Sequence, residues 1–225
     1  MSASNPLDGT PQHIRTLLNT LHTQSSTQEA SISSSDYQSE TFDDLMRDKF
    51  IALDEDKSQY LYQLCRMINA KTIVEAGTSF GVSTIYLALA ASANVAATGG
   101  AGKVIATENE PTKAAKAKDH WVQCGDLVTD VIDLREGNLL ETLKRDVEGV
   151  DLLLLDIWAP VALPTLKLLL PKMRYGAVVV TDNTIGAAER YKELLAFIRE
   201  PGNGFVNMTL PFSRGLEVSV YLPRK

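Results

Sequence analysis

The stretch from Lys71 to Ala90, KTIVEAGTSFGVSTIYLALA, constrains the fold of this chain more than any other. A short, largely β-branched apolar run leads into a turn bounded by Gly77 and Gly81, and an apolar segment follows at once. This order predicts a strand, a tight turn and a buried helix. In open parallel sheets such a unit forms a ligand crevice at the carboxyl end of the strand. Glycine in the turn lets the backbone approach a ligand closely, because glycine has no Cβ atom.

The spacing of the two glycines differs from that of a dinucleotide-binding fingerprint. The motif reads Glu-x-Gly-x-x-x-Gly from Glu75 onward, and it lacks the middle glycine of Gly-x-Gly-x-x-Gly. A carboxylate at Glu75 would repel a diphosphate, whereas it suits a ligand that bears an ammonium or hydroxyl groups. The alternative interpretation is that the glycines only allow the strand to pack against the helix.

Length and charge limit the classes of function. A chain of 225 residues with 44% hydrophobic residues can form one α/β domain with a full core. The formal net charge of −6 provides no basic surface for phosphates, so nucleic acid is not an expected partner. No segment has the pattern of a signal peptide or a membrane span, and Cys65 and Cys124 have no spacing typical of a disulfide framework or a zinc site. We therefore expect a soluble, cytoplasmic protein with no membrane partner.

The amino-terminal region differs in composition from the rest of the chain. Residues Pro11–His22 carry apolar side chains at helical spacing, and Gln24–Glu40 is rich in serine, which is typical of a linker. We predict a helical arm with its linker over residues 1–40 and a folded domain over residues 41–225. The arm is expected either to cover the active site or to cross to a second subunit.

Strand and helix patterns alternate through the folded domain until the chain ends in two strands. Further strands are predicted at Lys103–Thr107, Val131–Arg135, Asp151–Asp156, Ala177–Thr181, Phe205–Leu210 and Glu217–Leu222. Helices are predicted at Phe42–Ile51, Asp54–Asn69, Thr112–Cys124, Pro160–Leu170 and Ala187–Glu200, and a loop at Ser92–Gly102. The pattern indicates an α/β fold with a doubly wound, seven-stranded sheet that ends in an antiparallel hairpin. A dinucleotide-binding fold would continue the alternation instead.

Four acidic residues share a position at or beside the carboxyl ends of predicted parallel strands: Glu75, Glu108, Asp156 and Asp182. Ligands bind at this edge of such a sheet. Asp156 and Asp182 follow strands that should be neighbours, and Asn183 adds an amide oxygen, so the three form a hard oxygen set suited to Mg²⁺. Glu108 lies where an acid commonly binds ribose hydroxyls. Each acid could instead cap a turn or face solvent.

Six motifs, spread in order from Leu53 to Tyr221, make the chain resemble the cation-dependent class I methyltransferases that use S-adenosylmethionine, the catechol O-methyltransferase-like family. The motifs are VEAGTSFGVS, ATENEP, REGN, LDIW, TDN and GLEVSVY. The resemblance implies a Rossmann-like methyltransferase fold, S-adenosylmethionine as cofactor, and a divalent cation such as Mg²⁺. It also implies a small phenolic or catechol-like acceptor and a homodimer.

The resemblance further implies a role for individual residues in cofactor binding. Glu75, Gly77 and Ser83, with Leu53, would hold the methionine end of the cofactor. Glu108 would bind the ribose. The adenine would lie against Asn138 and Leu139. The other residues implied in cofactor binding are Thr78, Ser79, Gly81, Asn109, Gly137 and Asp156.

The same resemblance implies the residues of the reaction itself. Asp156, Asp182 and Asn183 would bind the metal. Trp158 would lie beside the acceptor, and Glu217 would bind a second acceptor hydroxyl. Asp156, Trp158 and Glu217 are therefore the predicted catalytic residues.

One position departs from the family pattern. These enzymes usually carry a lysine as general base three residues after the first metal-binding aspartate, where this chain has Ala159. Either the metal, with or without Glu217, lowers the pKa of the acceptor sufficiently, or the acceptor and the chemistry differ. The alternatives are a metal-independent or N-methyltransferase, a nicotinamide-dependent oxidoreductase, and a cofactor-binding protein that has lost catalysis.

Overall fold

The computed structural model describes residues 5–31 and 49–224. The predicted helix at Phe42–Ile51 lies mostly outside the described residues, and residues 49–51 are not helical. The part of the predicted linker from 32 to 40 lies outside them as well. In the described ranges, no helix is long and apolar enough to cross a membrane.

Helices and strands alternate along the described chain. The helices are α1 Gln12–Glu29, α2 Glu55–Met67, α3 Val82–Thr98, α4 Pro111–Cys124, α5 Asp126–Thr129, α6 Leu139–Thr142, α7 Ala159–Leu169 and α8 Lys192–Arg199. The strands are β1 Thr72–Ala76, β2 Lys103–Glu108, β3 Ile132–Glu136, β4 Val150–Leu155, β5 Met173–Asp182, β6 Phe205–Leu210 and β7 Leu216–Tyr221. Short 3₁₀ turns at Leu170–Lys172 and Pro201–Asn203 follow α7 and α8.

The strands form one seven-stranded sheet in the order β3-β2-β1-β4-β5-β7-β6. The first five strands of the chain are parallel, and β7 runs antiparallel to both β5 and β6. The predicted doubly wound sheet with a terminal antiparallel hairpin is therefore confirmed. The strand order reverses between β1 and β4, and a ligand crevice is expected at the carboxyl ends of these two strands.

Each face of the sheet is covered by a separate apolar core. One core contains side chains of α1 to α5, and the other contains those of α7 and α8. Neighbouring residues of β1 alternate between them, since Ile73 belongs to the first core and Val74 to the second. Because the central strands are buried on both faces, their sequences are almost continuously apolar, as in Leu152–Leu155.

The amino-terminal helix is longer than predicted and packs on its own chain. Residues 24–29, predicted as linker, form the last turns of α1. Ile14, Leu18 and Leu21 of this helix are buried in the same core as α3. Hence the apolar stripe of α1 packs against the folded domain of its own chain.

Two further boundaries differ from the prediction. Helix α3 continues through the expected loop to Thr98, because its alanines favour helix and Asn94 is buried, where its amide donates to the carbonyls of Cys65 and Ala70. Helix α8 begins only at Lys192. The preceding residues form turns that start at Asn183, whose φ of 59° lies in the left-handed region.

Candidate active site

The turn after β1 passes so close to β4 that only glycine fits at position 77. Gly77 has φ of 95°, and a Cβ atom there would lie 2.0 Å from the carbonyl oxygen of Asp156. The amide of Asp156 donates to the carbonyl of Ala76 at 3.0 Å, which holds the two strand ends together. Because Gly77 has no side chain, the turn after β1 can lie directly against Asp156, the first predicted metal ligand.

Gly81 has a different role. A Cβ atom there would lie 2.5 Å from the indole nitrogen of Trp121, which donates to the carbonyl of Gly81 at 2.9 Å. Gly81 does not line the crevice. The alternative interpretation of the motif, that glycine allows close packing, thus fits Gly81, whose contact with the cofactor stays a prediction.

Glu75 lies behind the crevice rather than in it. Its buried carboxylate accepts hydrogen bonds from the hydroxyls of Thr78, Ser83 and Thr84. Burial raises the pKa of Glu75 above its usual value, and the three hydroxyl donors oppose this rise only in part. Through these hydroxyls Glu75 orients the turn and the start of the following helix, and its direct contact with the cofactor stays a prediction.

The crevice itself lies between the turn, the end of β4 and the segment before α2. Its lining comprises Ile51, Ala52, Leu53, Gly77, Thr78, Ser79, Phe80, Val82, Ser83 and Asp156. Six predicted cofactor-binding residues are thereby brought together: Leu53, Gly77, Thr78, Ser79, Ser83 and Asp156.

Glu108 connects this crevice with the ends of β2 and β3. One oxygen of its carboxylate accepts from the amide of Ser79 at 2.7 Å, and the other accepts from the amide of Glu110 at 2.8 Å. The amide of Gly137 donates to the carbonyl of Glu108 at 2.8 Å. The carboxylate is thus held beside the turn, and its binding of the ribose stays a prediction.

The remaining predicted cofactor residues lie at the ends of the same two strands. Asn109 is exposed directly after β2. Asn138 is exposed and caps α6, since its side-chain oxygen accepts from the amide of Leu140 at 3.0 Å, and Leu139 is half-buried at the start of that helix. The structure therefore places these residues on the side of Glu108 away from β4.

Asp156 and Asp182 follow adjacent strands, as predicted. Leu155 of β4 pairs with Thr181 of β5, so the two aspartates come next to each other at the same edge. Desolvation, with the charges of Asp182 and Glu75, raises the pKa of Asp156 to about 8. Burial also raises the pKa of Asp182, and the positive charge of Lys57 opposes this rise.

Lys57 is a site residue that the sequence analysis missed. Its side chain is 1% exposed, and its Nζ lies 2.7 Å from Oδ1 of Asp182 and 3.0 Å from Oδ2 of Asp54. Burial disfavours the ammonium, but the two carboxylates outweigh it, and the pKa of Lys57 is raised. One signal could have revealed it: Lys57 lies four and seven residues before Leu61 and Leu64, on the buried stripe of α2.

The oxygen atoms at this edge fit a divalent cation. Among the described residues there is no cluster of three or more His, Cys, Asp or Glu side chains that could hold a metal, so a site here would use the two aspartates with the amide of Asn183. Oδ1 of Asp182 is buried and lies 2.7 Å from the ammonium of Lys57, so a positive charge already stands against this oxygen. A buried carboxylate oxygen that takes a cation as its partner, among hard oxygen donors, suits Mg²⁺.

Glu217 lies on the other face of the sheet, so its predicted role needs correction. It pairs with Thr181, whereas Asp182 points toward Lys57 on α2. Its buried carboxylate binds Arg199 Nε and Nη2, both at 2.9 Å, and accepts from the hydroxyl of Thr209. A carboxylate already satisfied in this way is not placed to bind an acceptor beside Asp182.

The loop after β4 carries the remaining candidate residues. Trp158 is 45% exposed and precedes Ala159, the first residue of α7. The hydroxyl of Tyr191, which the sequence analysis also missed, donates to the carbonyl of Ile157 between Asp156 and Trp158. Burial raises the pKa of Tyr191, so this phenol fixes the loop rather than accepting a proton.

With the site geometry established, comparison with known proteins gives a family. Residues 74–184, which contain both aspartates and seven of the ten residues that line the crevice, match a family model described as a methyltransferase domain. This part of the chain is thus similar to a methyltransferase domain. Within it, β1 and the glycine turn lie near the start of the match, and Asp182 and Asn183 lie at its end.

Two sequence relatives of this chain carry the name catechol O-methyltransferase. One from Niastella koreensis is 29% identical over 139 residues, covering 60% of this chain and 59% of the relative. One from Mycobacterium tuberculosis is 31% identical over 136 residues, covering 60% of this chain and 58% of the relative. The matches therefore span less than two thirds of the length of each relative.

Solved structures share the fold of this chain at low sequence identity. Cofactor-bound Rv0187 from MTB superposes with a TM-score of 0.70 at 21% identity over 100% of both chains. The O-methyltransferase from Bacillus cereus in complex with SAH superposes with a TM-score of 0.64 at 19% identity, over 96% of this chain and 93% of that one. These similarities establish the Rossmann-like methyltransferase fold.

Proposed function

We propose that this protein transfers the methyl group of S-adenosylmethionine to a hydroxyl of a small phenolic or catechol-like acceptor, with a divalent cation, Mg²⁺ by preference. One observation carries the proposal: the crevice at Gly77 and the pair formed by Asp156 and Asp182 share an edge of the sheet, and Asp156 belongs to both. The names of the sequence relatives support the same class of acceptor.

The cofactor would lie along the carboxyl ends of β1, β2 and β3. The turn from Gly77 to Ser79, with Leu53 and Ser83, would hold the methionine end. Glu108 would bind the ribose hydroxyls, because each of its oxygens accepts one backbone amide and retains a lone pair for a ligand. The adenine would lie between Asn109 and the segment Gly137–Leu139.

Asp156, Asp182 and Asn183 would hold the cation. When bound, it supplies the positive charge that lowers the pKa of the acceptor hydroxyl. Asp182 is held in place by Lys57, and Asp156 by its backbone bond to β1. The exposed indole of Trp158 would pack against the ring of the acceptor at the mouth of the site.

The reaction would be a direct displacement. The acceptor oxygen attacks the methyl carbon, the carbon–sulfur bond breaks, and S-adenosylhomocysteine leaves with the electron pair, while the hydroxyl proton passes to solvent. The protein contributes chiefly by positioning, since the reacting atoms must lie in line about 3 Å apart. Gly77 makes that approach possible, because a side chain there would displace Asp156.

A second candidate is a metal-independent O- or N-methyltransferase. It is favoured by Ala159, because the lysine that usually serves as general base in the family is absent at this position. It is also favoured by the Lys57 ammonium, which contacts Asp182 where a metal would bind. A binding protein without catalysis is favoured by Ala159 alone. For each of these functions we propose a homodimer, which light scattering in solution would test. We propose no nucleic acid or membrane partner.

The test is methyl transfer from S-adenosylmethionine to catechols, single phenols and small amines, followed by mass spectrometry with Mg²⁺ and with EDTA. We expect methylated catechols in the presence of Mg²⁺ and none with EDTA. Asp182→Asn should abolish turnover and leave S-adenosylmethionine binding within a few-fold of wild type. Product that persists with EDTA would support the metal-independent candidate, and no product from any acceptor would support the binding protein.

A further inference from the structure

Lys57 occupies a position in which a lysine is costly. It lies on the buried stripe of α2 with Leu61 and Leu64, and its side chain is 1% exposed. Taking an ammonium out of water costs several kcal/mol, and only partners in close contact offset that cost. An apolar residue would satisfy the packing of the helix more simply, so the charge itself requires an explanation.

The carboxylates around Lys57 provide that explanation. Nζ lies 2.7 Å from Oδ1 of Asp182, which is 5% exposed, and 3.0 Å from Oδ2 of Asp54. Asp156 follows the neighbouring strand and adds another acidic group. Without Lys57, Asp182 would be a buried anion beside other acids and would lose the ion pair that the structure shows.

We propose that Lys57 is a built-in counter-ion, a positioning residue that keeps Asp182 in place when no divalent cation is bound. This inference rests on the proposed function only in treating Asp182 as a metal ligand. In the metal-free protein the positive charge of Lys57 then balances the negative charge of Asp182, so that folding does not depend on the metal. Because a bound cation would stand near an ammonium, Lys57 also weakens cation binding.

The substitution Lys57→Met tests this role, since methionine has a similar length and no charge. The variant should be less stable than wild type, because Asp182 loses its cation partner. Mg²⁺ alone, without S-adenosylmethionine, should then replace the missing charge. We expect saturating Mg²⁺ to raise the Tm of Lys57→Met by about 4 °C or more and that of wild type much less.

Two further variants separate charge from packing. Lys57→Met/Asp182→Asn removes both charges, so it should be more stable than Lys57→Met and should not respond to Mg²⁺. Lys103→Met is the matched control, because it removes the partner of Asp133 from a 2.9 Å ion pair whose lysine is 43% exposed. It should leave the Mg²⁺ response at the wild-type level.

The measurement is a thermal unfolding series with Mg²⁺, repeated with EDTA. An equal Mg²⁺ response in wild type and Lys57→Met, or a double variant no more stable than Lys57→Met, would overturn the proposal. If Lys57→Met does not fold, a folded double variant supports the counter-ion role and an unfolded one contradicts it. This series measures unfolding and not turnover, so its result would stand even if the methylation assay gave no product.

Discussion

Single residues at this site combine backbone geometry with chemistry. Gly77 is required by a close approach between two strand ends, whereas Gly81 accommodates the indole of Trp121. Glu75 and Glu217 are both buried acids, yet the first accepts from hydroxyls of the turn after β1 and of α3, and the second is paired with Arg199 on the opposite face. Residue type alone therefore does not separate ligand-binding acids from structural ones.

Gly77→Ala should impair both stability and cofactor binding. The new Cβ would lie 2.0 Å from the Asp156 carbonyl, so the backbone must shift, and a non-glycine residue at φ of 95° adds strain of about 1–3 kcal/mol. Calorimetric titration should show S-adenosylmethionine binding weakened at least tenfold. Gly125→Ala is the matched control, since Gly125 has φ of 76° with nothing within 4 Å. Equal cofactor affinity in both variants would contradict the close-approach argument.

Glu217→Gln should reduce stability without abolishing methyl transfer. Burial disfavours the carboxylate, but hydrogen bonds from Arg199 and Thr209 outweigh it and hold the pKa of Glu217 below its usual value. A lowered pKa in the folded state stabilises the protein above the unfolded pKa of about 4.5, and this contribution is lost as pH falls through the folded pKa.

Urea unfolding of Glu217→Gln and wild type at pH 7 should therefore differ by about 1–3 kcal/mol, and the difference should shrink below pH 4.5. The wild-type protein is its own control across the pH series. Loss of turnover in a folded Glu217→Gln variant would restore the catalytic role that the geometry argues against.

At the scale of elements, two helices outside the matched domain support the site. Helix α2 supplies Lys57 to Asp182, and α1 holds the segment that contains Leu53. The hydroxyl oxygen of Ser25 accepts from the amide of Ala52 at 2.8 Å, and the side-chain oxygen of Gln28 accepts from the amide of Phe50 at 2.9 Å. The serines taken for a linker thus include one that fixes a wall of the crevice.

Ser25→Ala should weaken cofactor binding from a distance. Without the serine oxygen, the Ala52 amide loses its partner, at a cost of about 1–2 kcal/mol, and Leu53 is held less firmly. We expect the Kd for S-adenosylmethionine to rise about tenfold in a calorimetric titration. Thr23→Ala is the control, because its hydroxyl donates only to the carbonyl of Asn19 in its own helix. If both variants bind alike, α1 does not shape the crevice.

At the scale of the whole molecule, the proposed cofactor site joins the segment before α2 to the ends of four strands. Ligand contacts from β1 to β4 and from residues 51–53 would couple cofactor binding to global unfolding. S-adenosylmethionine at 100 times its Kd should stabilise the protein by about 2.7 kcal/mol, which raises Tm by about 5–10 °C.

The measurement is a thermal unfolding series with S-adenosylmethionine, S-adenosylhomocysteine and NADH. Both S-adenosyl compounds should raise Tm. NADH should not, because the motif from Gly77 to Gly81 lacks the middle glycine of a dinucleotide-binding site. A shift with NADH alone would instead support the oxidoreductase alternative.

The sequence determined the order of strands and helices, the antiparallel ending and the edge at which Glu108, Asp156 and Asp182 come together. These follow from local periodicity and from the rule that parallel strands end at one edge, both of which are written along the chain. It also carried the motifs on which the resemblance to the methyltransferases rests, Gly77 among them.

Packing between elements fixes which acids face the crevice and which groups compensate their charge. Lys57 pairs with Asp182, and Glu217 pairs with Arg199. Glu75 accepts from the hydroxyl of Ser83 in α3. Each of these contacts joins two separate elements. Packing also determines the length of α3 and α1, because the buried contacts of Asn94 and Ser25 outweigh the local preference of these residues for loops. Periodicity records which face of an element is apolar, whereas the partner of a buried charge depends on packing between elements distant in sequence.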